Sequence, residues 1–249
     1  LTIADLLKNR VCNVSIDKSG AANRIDEISD IVSEGRMNPF LLHYCSALST
    51  ESSPPTKKRL MTWYNETIED EKDDFLISLK DYAEIYSLFL EPKKCKSSEL
   101  KEVLNYLKVL GATRCYPLLL VGYKYLSTRD FLKLCKAVET LTFRHSTISG
   151  RDAKILEDEY YKLSQRIKNR NKLDPILEKL NDLAKQISDE VFETNFREYE
   201  PANNQVAKYI LLKIDNLLNK GSIKLDWDDV TLEHILASAA DWDGKVDLV

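Results

Sequence analysis

The sequence predicts an all-α protein, and three observations lead there. Glycine and proline number only seven each in 249 residues, about half of ordinary usage, and so few turn-formers cannot serve the many reversals of an all-β chain. Apolar residues recur at steps of three and four along most of the length. Thr2 and Ser127 each stand three residues before an aspartate, the arrangement that satisfies free N–H groups where a helix starts. The expected architecture is a multi-helix bundle of roughly ten helices, with a short extended segment near the C-terminus. An apolar share of 43% supplies a substantial core.

Thr2-Ile3-Ala4-Asp5 opens a short first helix carrying Leu6 and Leu7. Ile25, Ile28, Ile31 and Val32 form the stripe of a second, with Gly35 expected as the left-handed residue that ends it. Asn38-Pro39 reopens a helix with Phe40, Leu41, Tyr44, Cys45 and Leu48 inward, and Ser52, Ser53, Pro54 and Pro55 form a stiff connector. Leu60, Trp63, Tyr64 and Ile68 mark the next. Phe75, Leu79, Tyr82, Tyr86 and Phe89 mark the clearest helix, stopped by Pro92. A helix from Ser98 ends at Gly111. Leu118 to Tyr125, after Pro117, is apolar nearly all round and is expected at the centre of the bundle.

Ser127 opens a long helix with Phe131, Leu134, Cys135, Val138 and Leu141 inward, closed by Gly150. Ile155 to Ile167 carries another stripe. Asp174-Pro175 caps a helix bearing Ile176, Leu180, Leu183 and Ile187, and Asn203 or Asn204 starts the last, up to Gly221. After Gly221, Ile223, Leu225, Trp227, Val230 and Leu232 alternate with polar residues, which suggests extended chain. The domain reading is therefore 1–220, helical, and 221–249, the start of a second module. No repeat period is visible.

The formal charge is -4, and residues 221–249 hold seven acids against two bases, so the other 220 are nearly balanced. Such a field does not steer the whole chain to nucleic acid. Local groups could still meet phosphates: Lys57, Lys58 and Arg59, or Arg166, Lys168, Arg170 and Lys172. No stretch is long and apolar enough to span a bilayer, so no membrane partner is expected. Five cysteines without a C-x-x-C pair argue against a disulfide framework or zinc ribbon and favour a reducing, cytoplasmic setting. The first residue is Leu1, so the chain is expected to be part of a longer protein.

Residues that carry chemistry are sparse. His43, His145 and His234 have no metal-ligand spacing, and His43 and His145 read as structural, His145 with a helix C-terminus favouring its charged form. Cys115 stands near a helix start, where the dipole lowers a thiol pKa, yet no histidine is near it in sequence. Glycine-rich phosphate loops are absent, so the chain itself is expected to bind no cofactor. Glu233-His234, after the alternating run, pairs a carboxylate with an imidazole, a combination that can hold a divalent metal and activate water.

Leu1 to Asn9, Asn38 to Tyr44, Asp81 to Tyr86, Tyr116 to Leu120, Phe143-Arg144, Tyr209 to Leu211 and Val230 to Leu236 follow one another along the chain, and this order of segments resembles the GmrSD-type family of modification-dependent restriction endonucleases and related phage-defence nucleases. Leu1 to Asn9 is similar to the segment that follows the family's ParB-like nucleotide-hydrolysing core. Asn38-Pro39-Phe40-Leu41-Leu42-His43-Tyr44, Asp81-Tyr82-Ala83 to Tyr86, Tyr116-Pro117-Leu118-Leu119-Leu120, Phe143-Arg144 and Tyr209-Ile210-Leu211 follow in family order. Val230-Thr231-Leu232-Glu233-His234-Ile235-Leu236 resembles the opening of the family's HNH nuclease module.

The resemblance implies a helical middle segment, residues 1–220 after an absent nucleotide-hydrolysing core and 221–249 a truncated HNH start. By position His234 would be the water-activating catalytic base and Glu233 a metal-side carboxylate. The parent protein would act on DNA with a divalent metal, magnesium or manganese, and a nucleotide. Two departures matter: Ala237 stands where the family has proline, and the residues that complete the finger have no counterpart between Ser238 and Val249. This stretch alone is therefore expected to be catalytically incomplete. The rival expectation is a helical protein–protein interaction module without enzymatic role, which would show Trp63, Tyr64, Tyr160 and Tyr161 in one solvent-facing patch.

Overall fold

The structure is a computed structural model that describes residues 2–15, 17–51, 53–70, 74–169, 172–218 and 225–231. Among them the chain is all-helical, with twelve α-helices and no strand. They are α1 (Ile3–Val14), α2 (Lys18–Val32), α3 (Met37–Leu48), α4 (Lys57–Asp70), α5 (Asp74–Leu90) and α6 (Ser98–Val109). Then come α7 (Tyr116–Tyr125), α8 (Thr128–Thr142), α9 (Glu157–Lys168), α10 (Asp174–Lys185), α11 (Asp189–Arg197) and α12 (Asn204–Leu218). No helix is long and apolar enough to cross a membrane among the described residues.

The chain divides into two compact units, Leu1–Tyr199 and Glu200–Val249. The boundary thus falls before α12, whereas the sequence division at 220/221 follows a change of texture and a resemblance. In the second unit a 3-10 turn occupies Trp227–Asp229 between extended Asp226 and Val230, and Lys208 Nζ lies 4.5 Å from the centre of the Trp227 ring. Ile223 and Leu232, the two ends of the alternating run, lie outside the described residues.

The first unit is built around α7. Leu118, Leu119, Leu120 and Val121 are wholly buried, because a helix apolar on every side must be covered on every side. Helices α3, α5, α8 and α9 provide the cover. Gly122 makes the close α7–α8 approach possible: a Cβ there would stand 2.6 Å from Leu134 Cδ2 and 3.2 Å from Phe131 Cδ2, both side chains being locked in the core.

Helix starts follow side-chain caps. Thr2 and Asp5 form a reciprocal box on α1, and Ser97 and Ser127 accept from Leu100 and Asp130 N–H groups at 3.4 and 3.2 Å. Gly111 (φ 66°), which ends α6 as expected, and Gly150 (φ 61°) both take left-handed positions. The end of α2 differs from expectation. Ser33 adopts φ 71°, and Gly35 sits in a 3-10 turn, Glu34–Arg36, that leads into α3. Helix α8 does not run on to Gly150 but passes into a π-turn at Phe143–Ile148, where the chain gains one residue per turn and re-aims its side chains.

Replacing Gly122 with alanine should lower stability by about 1 kcal/mol: overpacking costs about 1–3 kcal/mol and the gain in helix propensity returns about 1. The midpoint of urea unfolding, at unchanged slope, measures it.

Candidate functional site

Segments far apart in sequence meet in one aromatic cluster between α3, α4, α5 and α7. Phe40 lies 5.2 Å from Tyr86 between ring centres, Tyr44 lies 5.3 Å from Tyr82, and Tyr116 lies 5.4 Å from Tyr86 and 5.3 Å from Phe89. Such tilted and edge-on pairs match ring quadrupoles and fix the helices' relative rotation. Tyr64 donates to the Leu41 carbonyl at 2.8 Å, and the Tyr44 and Ser78 hydroxyls share a hydrogen bond of 2.9 Å. The rings bury their polar tips with partners, as a stable interior requires.

His43 sits at the edge of this cluster. Its Nδ1 and the Tyr86 hydroxyl are 3.1 Å apart in one hydrogen bond, and its ring lies 5.5 Å from Tyr116, edge-on. Burial, and secondarily the Arg114 guanidinium, lower its pKa to about 4. The imidazole is therefore neutral near pH 7 and serves as a hydrogen-bonding group, not a proton donor of ordinary strength. It lines a cleft of about 40 Å³ with Ser46, Arg114, Glu157 and Tyr160, and Arg114 Nη1 donates to Glu157 Oε2 at 2.8 Å. That volume suits water rather than a metabolite, whose pockets run to about 300 Å³ or more.

The second polar constellation belongs to α9. Tyr161, Gln165 and Lys168 share one face and reach the end of α3 and the connector after it. Tyr161 donates to the Glu51 carbonyl at 2.8 Å and Gln165 Nε2 to the Ser49 carbonyl at 2.8 Å. Lys168 Nζ donates to the Leu48 and Ser49 carbonyls at 3.1 and 2.9 Å. A cation at the C-terminus of α3 satisfies carbonyls that have no intrahelical partner and meets the negative end of the dipole. Burial lowers the Lys168 pKa to about 8.

The residues singled out in the sequence fare unequally. Glu233 and His234, the metal-side carboxylate and catalytic base, lie outside the described residues, as do Arg170 and the side chains of Lys57 and Lys58. Lys168 is engaged by backbone carbonyls and is not displayed to an incoming phosphate, which corrects the expectation placed on it. Arg166 is half-buried and Lys172 exposed, while Arg59 pairs with Glu51 at 3.0 Å. Cys115 is wholly buried and donates to the Ala112 carbonyl at 2.8 Å. Desolvation pushes its pKa far up, so the expected dipole effect loses to burial. His145 is buried, and desolvation, then Arg151, lower its pKa, so the neutral form is favoured rather than the charged one.

Among the described residues no group of three or more His, Cys, Asp or Glu is placed to hold a metal ion. The α9 constellation carried a sequence signal, Tyr161, Gln165 and Lys168 at steps of four and three, but its target in the α3–α4 connector carried none. In comparisons with known proteins, no family model, no curated protein and no solved structure matches this chain.

Two outcomes follow. For His43 the folded pKa, about 4, lies below the ordinary value of 6.5, so the unfolded chain binds the proton first. Stability from this group is full above pH 6.5 and is lost as pH falls toward 4. His43→Gln should flatten the wild-type fall in unfolding free energy across that window by about 3 kcal/mol, read by chemical denaturation, with His145→Gln as the comparison. Lys168→Met should lower stability by about 1–3 kcal/mol by leaving carbonyls at the end of α3 without a donor, read by chemical denaturation.

Proposed function

We propose that the chain is the helical connecting and scaffolding segment of a DNA-targeting phage-defence endonuclease of the GmrSD type. Its physical task is to hold a nucleotide-hydrolysing domain and an HNH-type nuclease module at a set separation and to relay a change between them. The observation that carries this reading is the convergence of the motif segments. Phe40, His43 and Tyr44 of the second segment, Tyr82 and Tyr86 of the third and Tyr116 of the fourth pack against one another in a single cluster. Residues that look like separate family signatures thus act together as the packing code of one rigid body, which suits a spacer. One buried core runs from Leu7 to Ala184 and gives that body its stiffness.

In this reading DNA, a divalent metal and a nucleotide are engaged by the parent protein, in the cytoplasm, and Glu233 and His234 act only when the nuclease module is complete. Arg166, Arg170 and Lys172 remain the phosphate-facing candidates on this chain. A second reading, a protein–protein interaction module, is favoured by α12 in the second unit. Leu211, Ile214, Leu217 and Leu218 are exposed there, the last two at 77% and 76%, beside an open apolar groove of about 360 Å³ that also meets Leu225 and Val230. The aromatic patch that would have argued for it in the first unit is not formed, since Tyr64, Tyr160 and Tyr161 are buried and Trp63 is half-buried.

A protein carrying this chain with its flanking sequence should hydrolyse a nucleotide and cleave DNA in the presence of magnesium or manganese. His234→Ala in that protein should reduce cleavage by about 10²–10⁴-fold, the usual contribution of a general base, with hydrolysis retained. Absence of both activities, or nicking of plasmid by this chain alone, would overturn the scaffold reading.

A further inference from the structure

Helix α11 is attached unlike the other helices of its unit, for among the described residues it alone buries no side chain fully. Among the described residues its most extensive contact is with the π-turn at Phe143–Ile148. Phe192 and Phe196, one turn apart, stack at 5.8 Å between centres, and Phe143 meets them edge-on at 6.0 and 6.3 Å. Arg144 Nη2 donates to the Ile187 carbonyl and to Asp189 Oδ1, each at 2.7 Å, and its guanidinium carbon lies 4.6 Å from the centre of the Phe192 ring. Among the described residues a three-ring stack and one arginine are the main fastening of this nine-residue helix.

The balance of that attachment is close. The Asp189 side chain is 91% exposed, so water competes for its charge. Arg144 Nε is buried with no hydrogen-bond partner, so closure sacrifices one of the guanidinium's five donors. Meanwhile the helix carries its own supports: Ser188 Oγ accepts from Val191 N–H at 3.3 Å, and Arg197 pairs with Glu193 at 2.6 Å. Neither support depends on the body.

We propose that α11 is a strap latched by Arg144, which opens as a unit from the body formed by α1 to α10 and uncovers the apolar rings of Phe143, Phe192 and Phe196. The π-turn is the anchor, because its extra residue per turn turns Phe143 and Arg144 toward α11 while His145 and Ile148 stay buried. The strap is independent of the nuclease reading and stands or falls separately from it.

Native-state hydrogen exchange on the intact chain tests this. Amides of 189–197 should exchange by local opening, about 100-fold or more faster than those of α7 once corrected for intrinsic rates. Arg144→Gln should accelerate 189–197 by about tenfold, and Asp189→Asn by a smaller factor, with α7 unchanged in both. Asp189 is at the surface, so its variant decides the matter if Arg144→Gln does not fold. Exchange of 189–197 at the rate of α7 in the wild type, or no acceleration in either folded variant, would overturn the proposal.

Discussion

The first unit depends on the burial of one helix whose first two turns have no polar side. Helix α7 presents leucine, valine and aromatic residues in every direction, and each exposed face would forfeit the transfer energy of whole side chains, about 1.5–3 kcal/mol apiece. It must therefore be surrounded, and α3, α5, α8 and α9 are arranged by that demand. Gly122 sets how near α8 can come, and Tyr116 ties α7 to the aromatic cluster. Once α7 is covered, the remaining helices need only one apolar face each, and their amphipathic stripes follow from that.

Basic side chains work inward here more than a reading of charge would suggest. Lys168 and Arg144 both donate to backbone carbonyls left open where a helix ends or a turn follows. Lys108 does the same for the Leu90 carbonyl at the end of α5, at 2.7 Å. In each case the cation takes the place of water at an open carbonyl and holds a junction between two elements, neighbours in sequence for Lys108 and distant for the other two. The three differ in surroundings. Lys168 is largely enclosed, Lys108 is at the surface, and Arg144 closes on a carboxylate that water also reaches.

Helix positions were readable from the sequence because their apolar stripes repeat over three or more turns, as in α5, α8 and α9. Helix α11 escaped that reading for a physical reason. It rests on two phenylalanines one turn apart, too few to establish a period, although Ser188 followed by Asp189 and Glu190 is a helix start in miniature. Ser33 taking the left-handed conformation in place of Gly35 was equally hidden, since the geometry of the α2–α3 corner, not local preference, imposes it. The sites were less legible than the fold. The sequence shows that Lys168 is charged and that Cys115 is near a helix start, but only packing shows that one is consumed by carbonyls and the other sealed from solvent.

The cysteines have a practical corollary. Cys45, Cys115 and Cys135 are wholly enclosed, with their thiols held protonated by burial, whereas Cys12 and Cys95 are partly accessible. An alkylating reagent therefore meets two populations: a pair that it can mark on the native molecule and a trio that it reaches only through transient loss of the core. The chain is thus born with an internal clock, whose slow hand records how often its interior comes apart.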